Sequence, residues 1–209
     1  MNRQGILMIV SGFSGSGKGT VVQRLMELFE GYVLSVSATT RDPRPGEKDG
    51  VHYFFVSEEK FGQMVRQEAF VEYARYVDHG YGTPRAFVEE KLAEGYNVVL
   101  EIEVQGALQV KEKYPDAVMI FITPPSIPEL VKRLTERGSE TREAIAGRLA
   151  RAKEESEWIT SYDYVVVNDT IDLCAQRLHE IIQSLKSTVS RNDALISRLR
   201  REVRELDLP

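Results

Sequence analysis

The sequence predicts an α/β fold in which a five-stranded parallel sheet is flanked by helices, and three observations predict it. Five short runs rich in Val, Ile and Leu read as strands buried on both faces: GILMIVS (5–11), YVLSVS (32–37), NVVLEIE (97–103), AVMIFIT (117–123) and DYVVVN (163–168). Helical patterns such as KGTVVQRLMELF, VQGALQVKEKY and IPELVKRLTERG separate most of them, the alternation expected of crossover units that cover both sides of a sheet. The first run also feeds directly into a glycine-dense loop that opens a helical pattern.

Two stretches break the rhythm. The gap between the second and third runs, roughly 38–96, is too long for a plain loop and reads as an inserted subdomain. Its aromatic and β-branched pieces (VHYFFV, FVEYARYVDHGYGT) favour a small mixed sheet, with turns at Pro43, Pro45 and the Asp49-Gly50 pair. A second insertion, about 134–160, is charged and helical, carries few strong apolar anchors and is expected to move. After Asn168 the chain reads helical to about Lys186. A last segment places Leu195, Ile196, Leu199, Val203 and Leu206 at helical spacing; that stripe suits packing on the body, pairing with another subunit or a solvated helix. The expected organisation is one unit over 1–186 (core 1–37, 84–133 and 161–186; first insertion 38–83; second 134–160) and a helical tail over 187–209.

Composition narrows the class. With 42% hydrophobic and 28% charged residues the chain is a soluble globular protein rather than a disordered or fibrous one. A net charge of −5 argues against broad adhesion to nucleic acid or an anionic membrane, although local basic clusters can still hold phosphates. The single cysteine, Cys174, cannot form an internal disulfide and sits in an amphipathic stretch, where a buried thiol is expected. The N-terminal apolar run ends in a glycine loop instead of a cleavage site, and no run approaches the ~18 residues of a membrane span, so a cytoplasmic protein without signal peptide is expected.

The sharpest local signal is the loop itself: Gly12, Phe13, Ser14, Gly15, Ser16, Gly17, Lys18, Gly19, Thr20. It fits GxxxxGK, which alone would arise by chance in roughly one chain in twenty of this size. Its position between a buried strand and a helix makes it a phosphate site: successive backbone amides can converge there, beside the unpaired first-turn amides of the helix. Lys18 would reach the β and γ phosphates of a nucleotide as a mobile point charge. Gly19 stands where Ser or Thr usually ligates magnesium, and Thr20 follows one place later.

Beyond the second strand lie Arg41 and Arg44, three apart among prolines, able to grip a monophosphate bidentately, with Tyr53 as a neutral donor. An isolated RxxR would more often be a solvated basic turn, but here it stands within SVSATTRDPRPGE. The phosphate loop, SVSxTTRxPRxGExxGxxYxF, FxEYAxxxxxxYGT, the xIxxQG strand end, an arginine-bearing insertion and the closing VVVND occur in this order, and with them the chain resembles the guanylate kinase family over about residues 5–185.

The resemblance implies a P-loop NTPase core with an inserted GMP-binding subdomain and a helical lid. It implies ATP and GMP or dGMP as substrates, with Mg2+ accompanying ATP. Residues matching Arg41, Arg44, Tyr53 and Tyr81 would hold the GMP phosphate, and those matching Ser37, Glu72, Thr83 and Glu103 would surround guanine. Guanine offers N1–H and the 2-amino group side by side, which one carboxylate such as Glu72 can accept together, while a hydroxyl of Ser37 or Thr83 can donate to O6. Glu101 would reach magnesium through water; the family's usual form is Asp-Ile-Asp, so Glu101 and Glu103 each carry one extra methylene. Arg137 and Arg148 would close on the phosphates, with Arg133 and Arg151 as lid or surface charges, and Asn168 and Asp169 would lie near adenine. The implied activity is ATP:GMP phosphotransfer, with Lys18, Arg41, Arg137 and Arg148 stabilising charge. The alternatives are a phosphopeptide-binding module of the same fold and a kinase of a ribose bisphosphate.

Overall fold

The computed structural model describes residues 4–76, 78–136 and 142–206. In chain order the elements are β1 (Leu7–Gly12), α1 (Lys18–Leu28), β2 (Tyr32–Leu34), β3 (Ala38–Thr39), β4 (Phe54–Phe55), α2 (Glu58–Arg66), β5 (Phe70–Tyr76), β6 (His79–Pro84) and α3 (Arg85–Ala93). They continue with β7 (Asn97–Glu101), α4 (Val104–Lys113), β8 (Val118–Thr123), α5 (Ile127–Glu136), α6 (Arg142–Ser156), β9 (Tyr164–Val167), α7 (Ile171–Lys186) and α8 (Asp193–Arg204).

The five apolar runs are the five strands of one sheet, ordered β2-β7-β1-β8-β9 and parallel throughout. Alternation along β1 divides the core. Met8 and Val10 face one side with Val21, Val22 and Leu25 of α1 and Cys174, Ala175, Leu178 and Ile182 of α7. Leu7 and Ile9 face the other with Val88 and Leu92 of α3 and Ala107 and Val110 of α4. Cys174 is fully buried, and burial pushes its thiol up to about 11. With β1 central and its successor at the edge, the chain reverses direction beside β1, and the crevice at that switch point opens at the carboxyl ends of the strands.

The first insertion supplies a second, mixed sheet, β4-β3-β6-β5, closed over its own small core of Ala38, Phe61 and Phe70. It is tied to the main body where Lys113 of α4 donates to the carbonyl of Val71 in β5 at 2.8 Å. The second insertion has the apolar anchors its charged sequence hides. Ile145, Leu149 and Ala152 of α6 pack with Leu130 and Leu134 of α5 on Phe13, Val104 and Phe121. The tail forms α8, with Leu199, Val203 and Leu206 left exposed. No helix among the described residues is long and apolar enough to cross a membrane.

Candidate active site

β1 delivers Gly12 to the crevice, and the loop then turns back onto α1. Gly15 and Gly17 hold φ of 93° and 89°, the left-handed region that side chains disfavour. A Cβ at Gly17 would lie 2.6 Å from Nδ2 of Asn168, and that amide donates to the Ser16 carbonyl at 2.7 Å. Buried Asn168 thus braces the loop from the end of β9. α1 begins at Lys18 with no side-chain cap and no acid in its first turn, so its unpaired amides and positive dipole end face the loop. Lys18 Nζ donates to the loop carbonyls of Gly12 (2.5 Å) and Phe13 (3.4 Å), ready to exchange them for phosphate oxygens.

Arginines approach from the side of α5 and α6. Arg148 donates to Ser14 Oγ at 3.0 Å, which brings one expected phosphate ligand onto the loop. Arg133 pairs with Glu129 (2.9 Å) and donates to the Asn168 carbonyl (3.1 Å), so it clasps the end of β9. Arg137 lies outside the described residues. Asp169 is engaged by Arg177 at 3.1 Å on the surface.

At the end of β7, the oxygens of Glu101 come within 3.4 Å of where a Cβ on Gly19 would stand. Glu101 thus stands in van der Waals range of the position that follows Lys18. Burial pushes the Glu101 carboxyl up, against the pull of Lys18. A crowded carboxylate beside a phosphate loop suits a hydrated divalent cation. Among the described residues no group of three or more acidic, His or Cys side chains could hold a metal, and Glu101 is the acid that stands beside the loop where an ion brought with the nucleotide would lie.

Glu103 precedes α4 and meets Glu155 of α6. Glu155 is 6% exposed, and its Oε2 is buried without a hydrogen-bond partner. Burial first, then the neighbouring Glu103 carboxyl, raises its carboxyl well above the ordinary range. A raised pKa means the folded protein keeps a proton that the unfolded chain gives up. The resulting stability is full below the ordinary glutamate range and is lost as pH rises through neutrality. Glu155→Gln keeps a donor to Glu103 but cannot ionise. Its melting temperature is expected to fall less between pH 5 and 8 than that of the wild type, a relative gain on the order of 1–2 kcal/mol at pH 8. Parallel pH curves for the two proteins would refute the shared proton.

The inserted sheet assembles the other half. Arg41 Nη2 donates to both carboxyl oxygens of Glu47, at 2.9 and 3.0 Å, and Nη1 to the Asp42 carbonyl at 2.6 Å. Its guanidinium lies 5.5 Å from the Tyr53 ring centre, and the Tyr53 and Tyr81 rings are 6.1 Å apart in an edge contact. Arg44 extends an exposed side chain, while its backbone N–H donates to Glu47 at 2.7 Å. Glu47 was not among the residues singled out by sequence, although it stands three places after Arg44 in the same specific run. The Arg44 amide and the Arg41 guanidinium hold its carboxyl below the ordinary range.

Glu72, 6% exposed on β5, accepts from Thr83 Oγ1 at 2.7 Å. Burial raises its carboxyl, while Thr83 and Lys113 oppose the shift. In this arrangement the Thr83 hydroxyl is committed to Glu72, while Ser37 is half-buried with its carbonyl accepting from the Phe54 amide at 2.9 Å. The carboxylate of Glu72 rests against Gly106 in the first turn of α4, five residues beyond Glu101, which rests against α1. The acid of the inserted sheet and the phosphate loop thus meet across the single segment that follows β7.

A glycine loop braced in this way at the head of the middle strand of a parallel sheet, with Lys18 over its carbonyls, defines a P-loop nucleotide-binding fold. The chain belongs to the guanylate kinase family, whose model matches residues 4–185. Its relatives include the guanylate kinases of Caldanaerobacter subterraneus subsp. tengcongensis, 48% identical over 97% of this chain and 98% of that protein, and of Lactococcus lactis, 49% identical over 91% and 93%. The crystal structure of guanylate kinase from Anaplasma phagocytophilum superposes with a TM-score of 0.73 at 34% identity, covering 91% of this chain and 90% of the other.

Proposed function

We propose that the protein transfers the γ-phosphoryl group of ATP to GMP or dGMP, giving ADP and GDP or dGDP, in the recycling of guanine nucleotides in a reducing cytoplasm. The observation that carries this reading is the buried Glu72–Thr83 pair seated on the segment that also carries Glu101 beside the phosphate loop. An ionised Glu72 accepts from N1–H and the 2-amino group of guanine; adenine offers no such pair of donors, so the buried carboxylate would be left unpaired. Thr83 orients that carboxylate, Ser37 donates to O6, and Glu103 flanks the base or ribose. Arg41, Arg44, Tyr53 and Tyr81 take the GMP phosphate.

The acceptor oxygen is already anionic, so no catalytic base is required, and rate comes from alignment and charge neutralisation. The loop amides and Lys18 hold the donor phosphates. Arg41 draws the acceptor phosphate into line, and Arg148, which reaches Ser14 of the loop, closes the loop side and excludes water; Arg137, outside the described residues, takes the same role by its match to the family pattern. Magnesium bound with ATP, within reach of Glu101 through water, supplies charge neutralisation on the transferring phosphates.

A coupled ADP-release assay with magnesium ATP tests the proposal directly. Turnover is expected with GMP and dGMP, and background rates with AMP, UMP or no acceptor. GMP binding without ADP release would replace the enzyme by a binding module, and preference for a ribose bisphosphate would remove the guanine assignment.

A further inference from the structure

Gly106 is the third residue of α4, and its backbone gives no conformational reason for glycine, because it lies in regular helix and is not among the positive-φ residues. In a helix interior glycine is less favourable than alanine by roughly 1 kcal/mol. The reason is spatial. A Cβ at Gly106 would stand 3.0 Å from Oε2 of Glu72, 3.4 Å from its Cδ and 3.5 Å from its Cγ. The opposite oxygen, Oε1, is fixed by the Thr83 hydroxyl at 2.7 Å. The strand behind the acid is held by the Lys113–Val71 bond of 2.8 Å, and buried Phe70 fills the space beside Gly82. The carboxylate is therefore positioned between a hydroxyl that fixes one oxygen and a helix turn that leaves space for the other.

We propose that Gly106 is a positioning residue for base selection: the absence of its side chain lets Glu72 present both oxygens in the plane that N1–H and the 2-amino group of guanine require. This rests on the reading that Glu72 receives guanine. A methyl at 106 turns or withdraws the carboxylate by a few tenths of an ångström, and the two-point contact becomes a one-point contact. Hypoxanthine shares N1–H and O6 with guanine but lacks the 2-amino group, so the ratio of kcat/KM for GMP to that for IMP reads the second contact alone.

The experiment measures this ratio, the KM for ATP and the melting temperature for wild type, Gly106→Ala, Glu72→Gln and the double variant. Gly106→Ala is expected to raise the KM for GMP about ten- to a hundredfold, as for loss of a hydrogen bond to a charged group. It should change kcat less and leave the KM for ATP unmoved, so that the GMP:IMP ratio collapses. The melting temperature should change little, since the helix preference of alanine and the displacement of the Glu72 carboxylate oppose each other. In the Glu72→Gln background the same substitution should add nothing to the loss of ratio.

An unchanged ratio in Glu72→Gln would remove the guanine assignment of Glu72 itself. A collapsed ratio in Glu72→Gln with an intact one in Gly106→Ala would overturn the role of Gly106 alone, as would equal losses for GMP, IMP and ATP. Should the methyl unsettle the fold, Glu72→Asp supplies the comparison. The shorter acid stands clear of the methyl, so adding Gly106→Ala must then leave the ratio unchanged, and a further fall overturns the proposal.

Discussion

Lys18→Ala is expected to lower kcat about 10³-fold, equivalent to about 4 kcal/mol of transition-state stabilisation, with little change in melting temperature. The magnitude follows from where the ammonium stands. Its Nζ donates to the carbonyls of Gly12 and Phe13, inside the ring of amides that will face the β and γ phosphates. As the phosphoryl group leaves ADP, negative charge grows on oxygens within reach of that ammonium, and nothing else on the loop carries a full positive charge. The loop does not depend on Lys18 for its shape, because the Asn168–Ser16 bond of 2.7 Å and the Ser16–Phe13 backbone bond of 2.9 Å remain. Lys18→Met, which keeps the aliphatic stem, should lose as much as Lys18→Ala, so charge rather than packing is read. A kcat within tenfold of wild type in either variant would refute the assignment. Single-turnover measurement of the chemical step decides whether a smaller loss reflects slow product release instead.

The core of this fold is legible because each central strand is a continuous apolar run and each crossover helix repeats its contacts every turn. α7 ends at Lys186, where its periodicity stops. Residues 38–96 carry a weaker signal: their aromatic and β-branched pieces announce the small mixed sheet, and β5 and β6 fall within them, but the shortest strands go unmarked. β3 and β4 are two residues long and exist only through partners distant in sequence, so no period can announce them. α2 does carry a local signal, with Ser57 accepting from the Lys60 amide at 3.1 Å and Glu58 and Glu59 in the first turn, but it lies between strand-like aromatic pieces that dominate the pattern. Likewise the anchors of α6 are modest side chains, Ile145, Leu149 and Ala152, whose value comes from the Phe13 and Phe121 surface they meet.

The site divides along the same line. Lys18, Arg41, Glu72 and Thr83 can be proposed from sequence because specific runs name them. Glu47 holding Arg41, Glu155 meeting Glu103 and Gly106 accommodating Glu72 are products of the chain's return, and only the folded arrangement exposes them.

Arg41→Met is expected to raise the KM for GMP about a hundredfold while leaving that for ATP unchanged, since the proposal assigns the guanidinium to the acceptor phosphate and not to the loop. In the free protein this guanidinium is already oriented: Glu47 accepts at 2.9 and 3.0 Å, the Asp42 carbonyl at 2.6 Å, and the Tyr53 ring lies 5.5 Å below. Glu47 has two opposing effects on the bound state. It fixes the fork and so lowers the entropy lost on binding, but it also neutralises part of the charge the phosphate seeks. Orientation is expected to outweigh neutralisation here, since Glu47 also anchors the Arg44 amide at 2.7 Å and so fixes the whole turn, with both side chains of the pair largely shielded from solvent at 13% and 19% exposure. Glu47→Gln should therefore raise the KM for GMP about tenfold despite removing a negative charge. Arg41→Lys should resemble Arg41→Met more than wild type, because an ammonium keeps the charge and loses the planar fork. If Glu47→Gln instead lowers the KM for GMP, the carboxylate is a competitor for Arg41 and its orienting role is refuted. The salt dependence of KM separates the two readings further: a purely electrostatic contribution fades between low and physiological ionic strength, whereas a geometric one persists.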